Sequence, residues 1–278
     1  MQDAESYCSE LVRAADRDRF IAALFAPADR RGALYALYAF NAEVARVREA
    51  AHAPLPGEIR LQWWSEVIAG ERTEDAAANP VAAALLGAIA RYKLSRQTLT
   101  DIIEARRFDL YDAPMVGVAD LEAYAKKTSS ALFVLAAQIL AGAEADAAAE
   151  PAGIAYAIAG LMRALPLNAA RGQLYVPAEL LDRHGVHPRE IFAGRSSPGF
   201  KVALAELREL ADRHLHAANE QMTALPREAV PALLPVALVR PLLDRLERSD
   251  PFAPPELSLW RRQWLIWRAA RDPARIAG

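Results

Sequence analysis

FAPADRRGALYALYAFNAEVARVRE, residues 25–49, decides the fold. Pro27 and Asp29 suit a first helical turn, where a missing N–H costs nothing and a carboxylate meets the positive end of the helix. Leu34, Leu37, Tyr38, Asn41, Val44 and Ala45 then recur at three- and four-residue spacing, which places them along one side of a helix. The spacing predicts a helix from about Pro27 to Ala50. Asn41 interrupts its apolar side, and Arg46, Arg48 and Glu49 crowd its end.

The same periodicity continues in both directions. Alanine is abundant, β-branched runs are short, and helices are predicted around 57–69, 79–92, 95–111, 118–142, 152–167, 199–224, 228–247 and 256–271. Breaks are expected at APLPGE (53–58), DAP (112–114), HGVHP (184–188), GRSSPG (194–199) and SDPFAPPE (249–256), where Gly and Pro punctuate the pattern. AGAEADAAAEPAG (141–153) reads as an alanine-rich connection. Neither paired hairpin signals nor strand–helix alternation occurs, so the expectation is a single all-α domain over residues 1–278.

Bulk chemistry narrows the function classes. With 53% hydrophobic and 24% charged residues the chain is globular rather than disordered, and a formal charge of −2 offers no basic field for nucleic acid. A lone cysteine, Cys8, rules out an intrachain disulfide and a cysteine zinc cage. The first twenty residues carry early acids and no signal-peptide core, and the most apolar run, ALFVLAAQILAG (131–142), is 12 residues long. Crossing a bilayer takes about 20. The expected location is cytoplasmic or peripheral to a membrane, including the inner membrane.

Two segments resemble the landmarks of squalene and phytoene synthases. The first is residues 25–49, similar to that family's approach to its first aspartate-rich motif. The second is AYAIAGLMRALPLNAARGQLYVPAELL (155–181), similar to its second motif and the Ala-Arg-x-Gly-x-x-Tyr-x-Pro that follows, with Arg163, Arg171, Gly172, Tyr175 and Pro177 in register. Between them, FDLYDAPMVGVADLEAYAKKTSSALFVLAAQIL (108–140) is similar to the family's Asp-containing helix and the helix after it. The resemblance implies an isoprenoid-synthase-type helical bundle with a central cavity. It also implies head-to-head condensation of two isoprenyl diphosphates, with Mg²⁺ clamped between carboxylates on facing helices.

Those carboxylates are missing here. The resemblance places the first Asp-Asp-x-x-Asp on Ala45, Arg46, Val47, Arg48 and Glu49, and the second motif's aspartates on Ala164 and Asn168. The second motif's Gln and Asn fall on Ala157 and Gly160, so the face formed by 157, 160, 164 and 168 is small and nearly uncharged. Four of five acids are gone, on both sides of the site. Arg46 and Arg48 add charge that opposes a divalent cation. The serines that the family carries before its first helix are replaced by the stretch holding Asp16 and Asp18. No catalytic residue and no metal or cofactor is expected, Mg²⁺ entering only if the chain is a synthase after all. Contacts to a retained ligand fall on Tyr38, Asn41, Glu49, Arg163, Arg171 and Tyr175.

One branch of the family, assembly factors of respiratory complex I and their bacterial relatives, carries Ala-Phe-Asn-x-Glu at this point. Here the string is Ala39-Phe40-Asn41-Ala42-Glu43, and GEIRLQWWSEV (57–67) is also similar to that branch. The resemblance implies a non-catalytic assembly or scaffold factor at the membrane, with protein partners that include complex I subunits. The alternatives are a head-to-head prenyltransferase and a metal-independent isoprenoid or lipid carrier.

Other features carry plainer readings. Asn41, Ala45 and Glu49 form either a leftover cavity wall or a polar break in a packed helix. Arg163, Arg171 and Tyr175 either grip an anion or anchor the loop after their helix. Asp101, Glu104, Asp109 and Asp112 alternate with Arg106 and Arg107, which reads as an ion-paired face rather than a metal site. His184, His187, His214 and His216 lack ligand-set companions. Ser129 and Ser130 replace a small pair lining the family's tunnel, implying a narrowed cavity. Of the adjacent Trp63 and Trp64, one is expected inside. In the C-terminal ELSLWRRQWLIWRAARDPARIAG, Leu257, Trp260, Trp264 and Trp267 share a stripe amid arginines. Most such stripes pack inward, so core closure is the expectation, with a membrane interface or a partner surface as the alternative.

Overall fold

A computed structural model describes residues 2–51, 53–142, 146–253 and 256–278. The periodicity resolves into helices throughout, and no strand occurs among the described residues. Two helices not expected from the sequence open the chain, α1 (Gln2–Ala15) and α2 (Arg17–Ala23), separated by Asp16, whose carboxylate caps α2 by accepting from the Arg19 N–H. The stretch that decided the fold forms α3 (Ala28–Ala45) and a short α4 (Val47–Ala51), with the break at Arg46, at φ −99° and ψ 8°. The predicted continuous helix to Ala50 therefore ends early. α5 (Pro54–Ala69) instead begins before its expected start, because Pro54 and Pro56 sit in the first turn, where no N–H is needed. Gly70, at φ 91°, ends it.

α6 (Thr73–Ala78), α7 (Pro80–Tyr92) and α8 (Arg96–Arg106) follow, α7 and α8 capped by the side chains of Asn79 and Ser95. The helix expected over 118–142 is α9 (Val118–Ala125), a π-helical turn (Lys126–Ser130) and α10 (Ala131–Ala141) in continuous succession. α11 (Asp146–Arg163) starts before its expected boundary and accommodates Pro151, so the alanine-rich connection shrinks to a stretch whose residues 143–145 lie outside those described. Residues 254–255 of the last predicted break also lie outside them. α12 (Leu165–Ala170), α13 (Ala178–Arg183) and α14 (Pro188–Phe192) are short, and α15 (Pro198–Gln221) is the longest helix. Pro231 and Pro235 break the helix expected over 228–247 into α16 (Val230–Leu233), a 3₁₀ segment and α17 (Val239–Glu247).

Packing follows from which helices are apolar all round. α10, ALFVLAAQILA, lies between α3 and α11, and its Leu132, Phe133, Leu135, Ala136, Ala137 and Ile139 are buried. α11 packs along α15, and α1, α3 and α7 form a neighbouring layer. Ser130 closes the α10–α11 contact: its Oγ donates to the Glu150 carbonyl at 2.6 Å, and its backbone lies against Gly153.

The last helix, α18 (Leu259–Arg271), corrects an expectation. Its buried residues are Leu265, Ile266 and Ala269, while Trp260, Trp264 and Trp267 are 84%, 50% and 44% exposed. The tryptophan stripe faces solvent rather than the core. Arg262 holds the helix in this rotation by gripping Asp18 of α2 with both Nε (2.8 Å) and Nη2.

Candidate functional site

The break at Arg46 determines what the first-motif residues can do. It turns α4 away from α3, so Asn41, Ala45 and Glu49 do not continue along one helical face. Asn41 is half-buried with its Oδ1 unpartnered, whereas Glu49 reaches across to the second motif. There the Arg171 Nη1 donates to Glu49 Oε1 at 2.6 Å, and Arg46 Nε stands 3.6 Å from Oε2. Arg48 reinforces the closure, donating to the Asp109 carbonyl (3.0 Å), Asp112 Oδ1 (2.7 Å) and the Arg171 carbonyl (3.2 Å). A turn with Gly172 at φ 72° presents that Arg171 carbonyl and returns the chain to Gln173.

Beneath this rim lies a buried polar cluster. Asp109 Oδ1 accepts from Tyr175 Oη (2.7 Å), and its carboxylate also meets Tyr124 Oη (2.8 Å) and Arg106 Nη1 (3.0 Å). Gln173 Nε2 donates to the Asp109 carbonyl at 2.8 Å. Burial pushes the phenols of Tyr124 and Tyr175 well above the ordinary tyrosine range. Tyr175 is thereby committed to a structural carboxylate. Asp112 and Glu104 are likewise paired, with Arg48 and Arg107, as the ion-paired reading of this charge series expects.

A second buried cluster had no counterpart in the sequence reading. The Arg19 guanidinium bonds Asp16 at 2.6 Å and lies 4.9, 5.2 and 5.7 Å from the rings of Tyr156, Phe133 and Tyr38. Three aromatic faces and one carboxylate share the charge of a residue that is 6% exposed. Burial raises Tyr38 and pushes Tyr156 up to about 12. The only sequence signal was the polar string DRDRF (16–20), whose aromatic partners lie far along the chain.

The structure thus joins Glu49, Arg171 and Tyr175 into one assembly through Arg48 and Asp109. It places Tyr38 with Arg19, Asn41 within α3, and Arg163 on another face of α11. Second-motif positions line small spaces. Asn168, with Tyr175, Ile158, Met162 and Leu204, bounds a cavity of about 20 Å³. Gly160 and Arg163, with Asp18, Leu242 and Arg262, bound one of about 60 Å³. Ala164 is half-buried beside them. Such spaces hold a water molecule or two, whereas small-molecule pockets run to about 300–1,000 Å³. On the outer side, Glu43, Arg46, Glu49, Arg60 and Trp63 line an open groove of about 590 Å³. Trp64 is buried under Trp63, edge to face at 5.1 Å, as expected of one member of that pair.

The donor set does not fit Mg²⁺. Of the seven acid and flanking positions in the two motifs, Glu49 alone supplies a carboxylate, and guanidinium groups already meet both its oxygens. Among the described residues no three His, Cys, Asp or Glu side chains converge in a metal-ligating arrangement. His184 and His214 pair instead with Glu206 and Glu122. Cys8 is buried and its thiol is pushed up to about 11.

Comparison with known proteins shows what the chain is similar to. The chain is similar to NADH dehydrogenase (ubiquinone) complex I, assembly factor 6 of Rattus norvegicus, 29% identical over 250 residues covering 89% of this chain and 75% of the rat protein. It is 23% identical over 262 residues to phytoene synthase 2, chloroplastic, of Solanum lycopersicum, covering 90% of this chain and 83% of the other. A crystal structure of a dehydrosqualene synthase in complex with ligand shares the fold, at a TM-score of 0.83 and 16% identity over 97% of this chain and 96% of that one. The family model for squalene/phytoene synthase matches residues 12–268, and the chain belongs to that family.

Proposed function

We propose that this chain is a non-catalytic member of its family that serves as an assembly or scaffold factor for respiratory complex I, with subunits of that complex as its protein partners. The observation that carries the reading is the Glu49–Arg171 ion pair, flanked by Arg48 on the Arg171 carbonyl, at the position where a synthase would clamp its metal ions. A diphosphate–Mg²⁺ cluster would have to break these contacts, and of the two motifs' own residues it would then meet three guanidinium groups and a single carboxylate. The name of the rat relative supports this reading and the choice of complex I subunits as partners. An isoprenoid carrier would need an internal space far larger than those against Gly160 and Asn168.

The test is purification of the tagged full chain from its native cell, scored for respiratory-complex subunits against a mock purification. Enrichment of complex I subunits is expected. Recovery of isoprenoid-pathway enzymes in their place would overturn the reading. In parallel, the purified chain with Mg²⁺ and farnesyl or geranylgeranyl diphosphate is expected to release no pyrophosphate. Turnover abolished by EDTA would establish the prenyltransferase reading instead.

A further inference from the structure

The outward face of α18 combines exposed indole rings with unopposed positive charge. At 100° per residue, Trp264, Trp267 and Arg271 lie within about 40° of Trp260, forming one stripe along three turns. Arg261 and Arg268 stand on one flank of it. The opposite side carries the buried Leu265, Ile266 and Ala269, and Arg262 fixes the rotation through Asp18, which is 6% exposed. The tryptophans therefore cannot turn inward without dismantling a buried ion pair.

Charge is as polarised as the apolar surface. α18 contains four arginines and no acid, in a chain whose formal charge is −2. Arg268 stacks over Trp264 at 4.6 Å and Arg271 over Trp267 at 4.1 Å, which holds two guanidinium groups at the level of the rings. Trp260 carries no such cover and projects furthest. Indole has an apolar body and a polar N–H, and it is favoured where one end of a side chain is dry and the other wet. Guanidinium forms paired hydrogen bonds with phosphate oxygens. A ridge with rings along its crest and cations at ring height matches the headgroup layer of a membrane bearing negative charge.

We propose that the outer face of α18 docks this protein on the surface of an anionic phospholipid bilayer, with Trp260, Trp264 and Trp267 at headgroup depth and Arg261, Arg268 and Arg271 on lipid phosphates. The contact is peripheral, since no helix among the described residues is long and apolar enough to cross a membrane. It does not depend on the assembly reading, because it requires lipid alone.

Co-sedimentation of the purified full chain with phosphatidylcholine vesicles, with and without about 30% phosphatidylglycerol, tests the proposal. Binding to the anionic vesicles is expected to exceed binding to neutral ones by about tenfold and to weaken as salt rises. The W260S/W264S double variant is expected to lose about tenfold in partitioning. R261E/R271E should abolish the preference for anionic lipid. Both variants alter exposed side chains, so thermal unfolding followed by circular dichroism should match wild type and separate lost docking from lost folding. Equal or absent binding of wild type to the two vesicle types would overturn the proposal. So would unchanged binding by folded W260S/W264S. Self-association that disappears in W260S/W264S, measured by light scattering without lipid, would assign the face to a second copy of the chain and also overturn it.

Discussion

Asp109 is the carboxylate on which the interior beneath the two motifs depends. Arg106, Tyr124 and Tyr175 all bond its side chain, and Arg48 and Gln173 bond its carbonyl. Asp109→Asn keeps the shape but leaves the buried Arg106 guanidinium without its counter-charge. Removing one partner of a buried pair costs about 3–5 kcal/mol, so the urea midpoint should fall sharply. Tyr175→Phe deletes one hydrogen bond and should cost about 1 kcal/mol. Equal losses in the two variants would show that charge neutralisation is not what the cluster provides. The tyrosines make a second prediction. Tyr38, Tyr124, Tyr156 and Tyr175 are all raised by burial. Their folded pKa exceeds the unfolded one, so their contribution is complete below about pH 10 and is lost as pH rises from there through the folded values. Absorbance at 295 nm, followed alongside the helical circular dichroism signal, should therefore report when these four tyrosines ionise. The buried group should ionise only as the helices melt. Ionisation of every tyrosine near pH 10 in a folded chain would refute this. Asp109 was visible in the sequence as one acid in a charged series. Its role was not, because Tyr124 and Tyr175 reach it from distant elements that no local pattern connects.

At Gly153, α11 comes close against the π-helical turn before α10. A Cβ built on Gly153 would press into the backbone of Ser130, closer than real Cβ atoms come, and backbone cannot swing aside as a side chain can. Gly153→Ala should force α10 and α11 apart and lower stability by about 1–3 kcal/mol. Gly87, on the exposed side of α7, has nothing within 4 Å of such a Cβ. There the same substitution removes only unfolded-state freedom and should stabilise by about 0.5–1 kcal/mol. Opposite signs in thermal melts are the expected result, and a neutral Gly153→Ala would show that the contact yields. The sequence made the helices legible because their apolar spacing is regular and their caps are chemical. α7 and α8 begin where Asn79 and Ser95 bond the first turn. It did not disclose the break at Arg46, which has no proline or glycine and is held by Arg48 and Glu49 reaching other elements. Nor did it disclose α1 and α2, whose junction rests on the Asp16 cap. The orientation of α18 was misread because period alone marks two faces and does not say which one is dry. The Arg262–Asp18 pair, 244 positions apart, decides that.

Across the whole molecule, the replaced acids and the small spaces against the second motif are separable features. Ion pairs at the rim are partly exposed, Glu49 and Arg171 by 39% and 38%, so each adds little to stability and could be exchanged by mutation. Below them α11 packs along α15, and Ile158, Leu161 and Met162 of α11 with Leu204 and Leu207 of α15 leave only a small space between the two helices, about 20 Å³. Four substitutions, Ala45→Asp, Arg46→Asp, Ala164→Asp and Asn168→Asp, would return carboxylates to both motifs. On the proposed non-catalytic reading they would not restore condensation, because the spaces against the second motif are about 20 and 60 Å³ whereas a small-molecule pocket takes about 300 Å³ or more. The quadruple variant, incubated with Mg²⁺ and farnesyl diphosphate and extracted for gas chromatography, is expected to yield no hydrocarbon above the wild-type blank. Even if calorimetry shows that it now binds Mg²⁺, condensation should remain absent, because clamping the leaving group does not enlarge the spaces against the second motif. Squalene-like product from this variant would mean that the interior opens on demand and that the replaced acids alone keep the wild-type chain from condensing diphosphates.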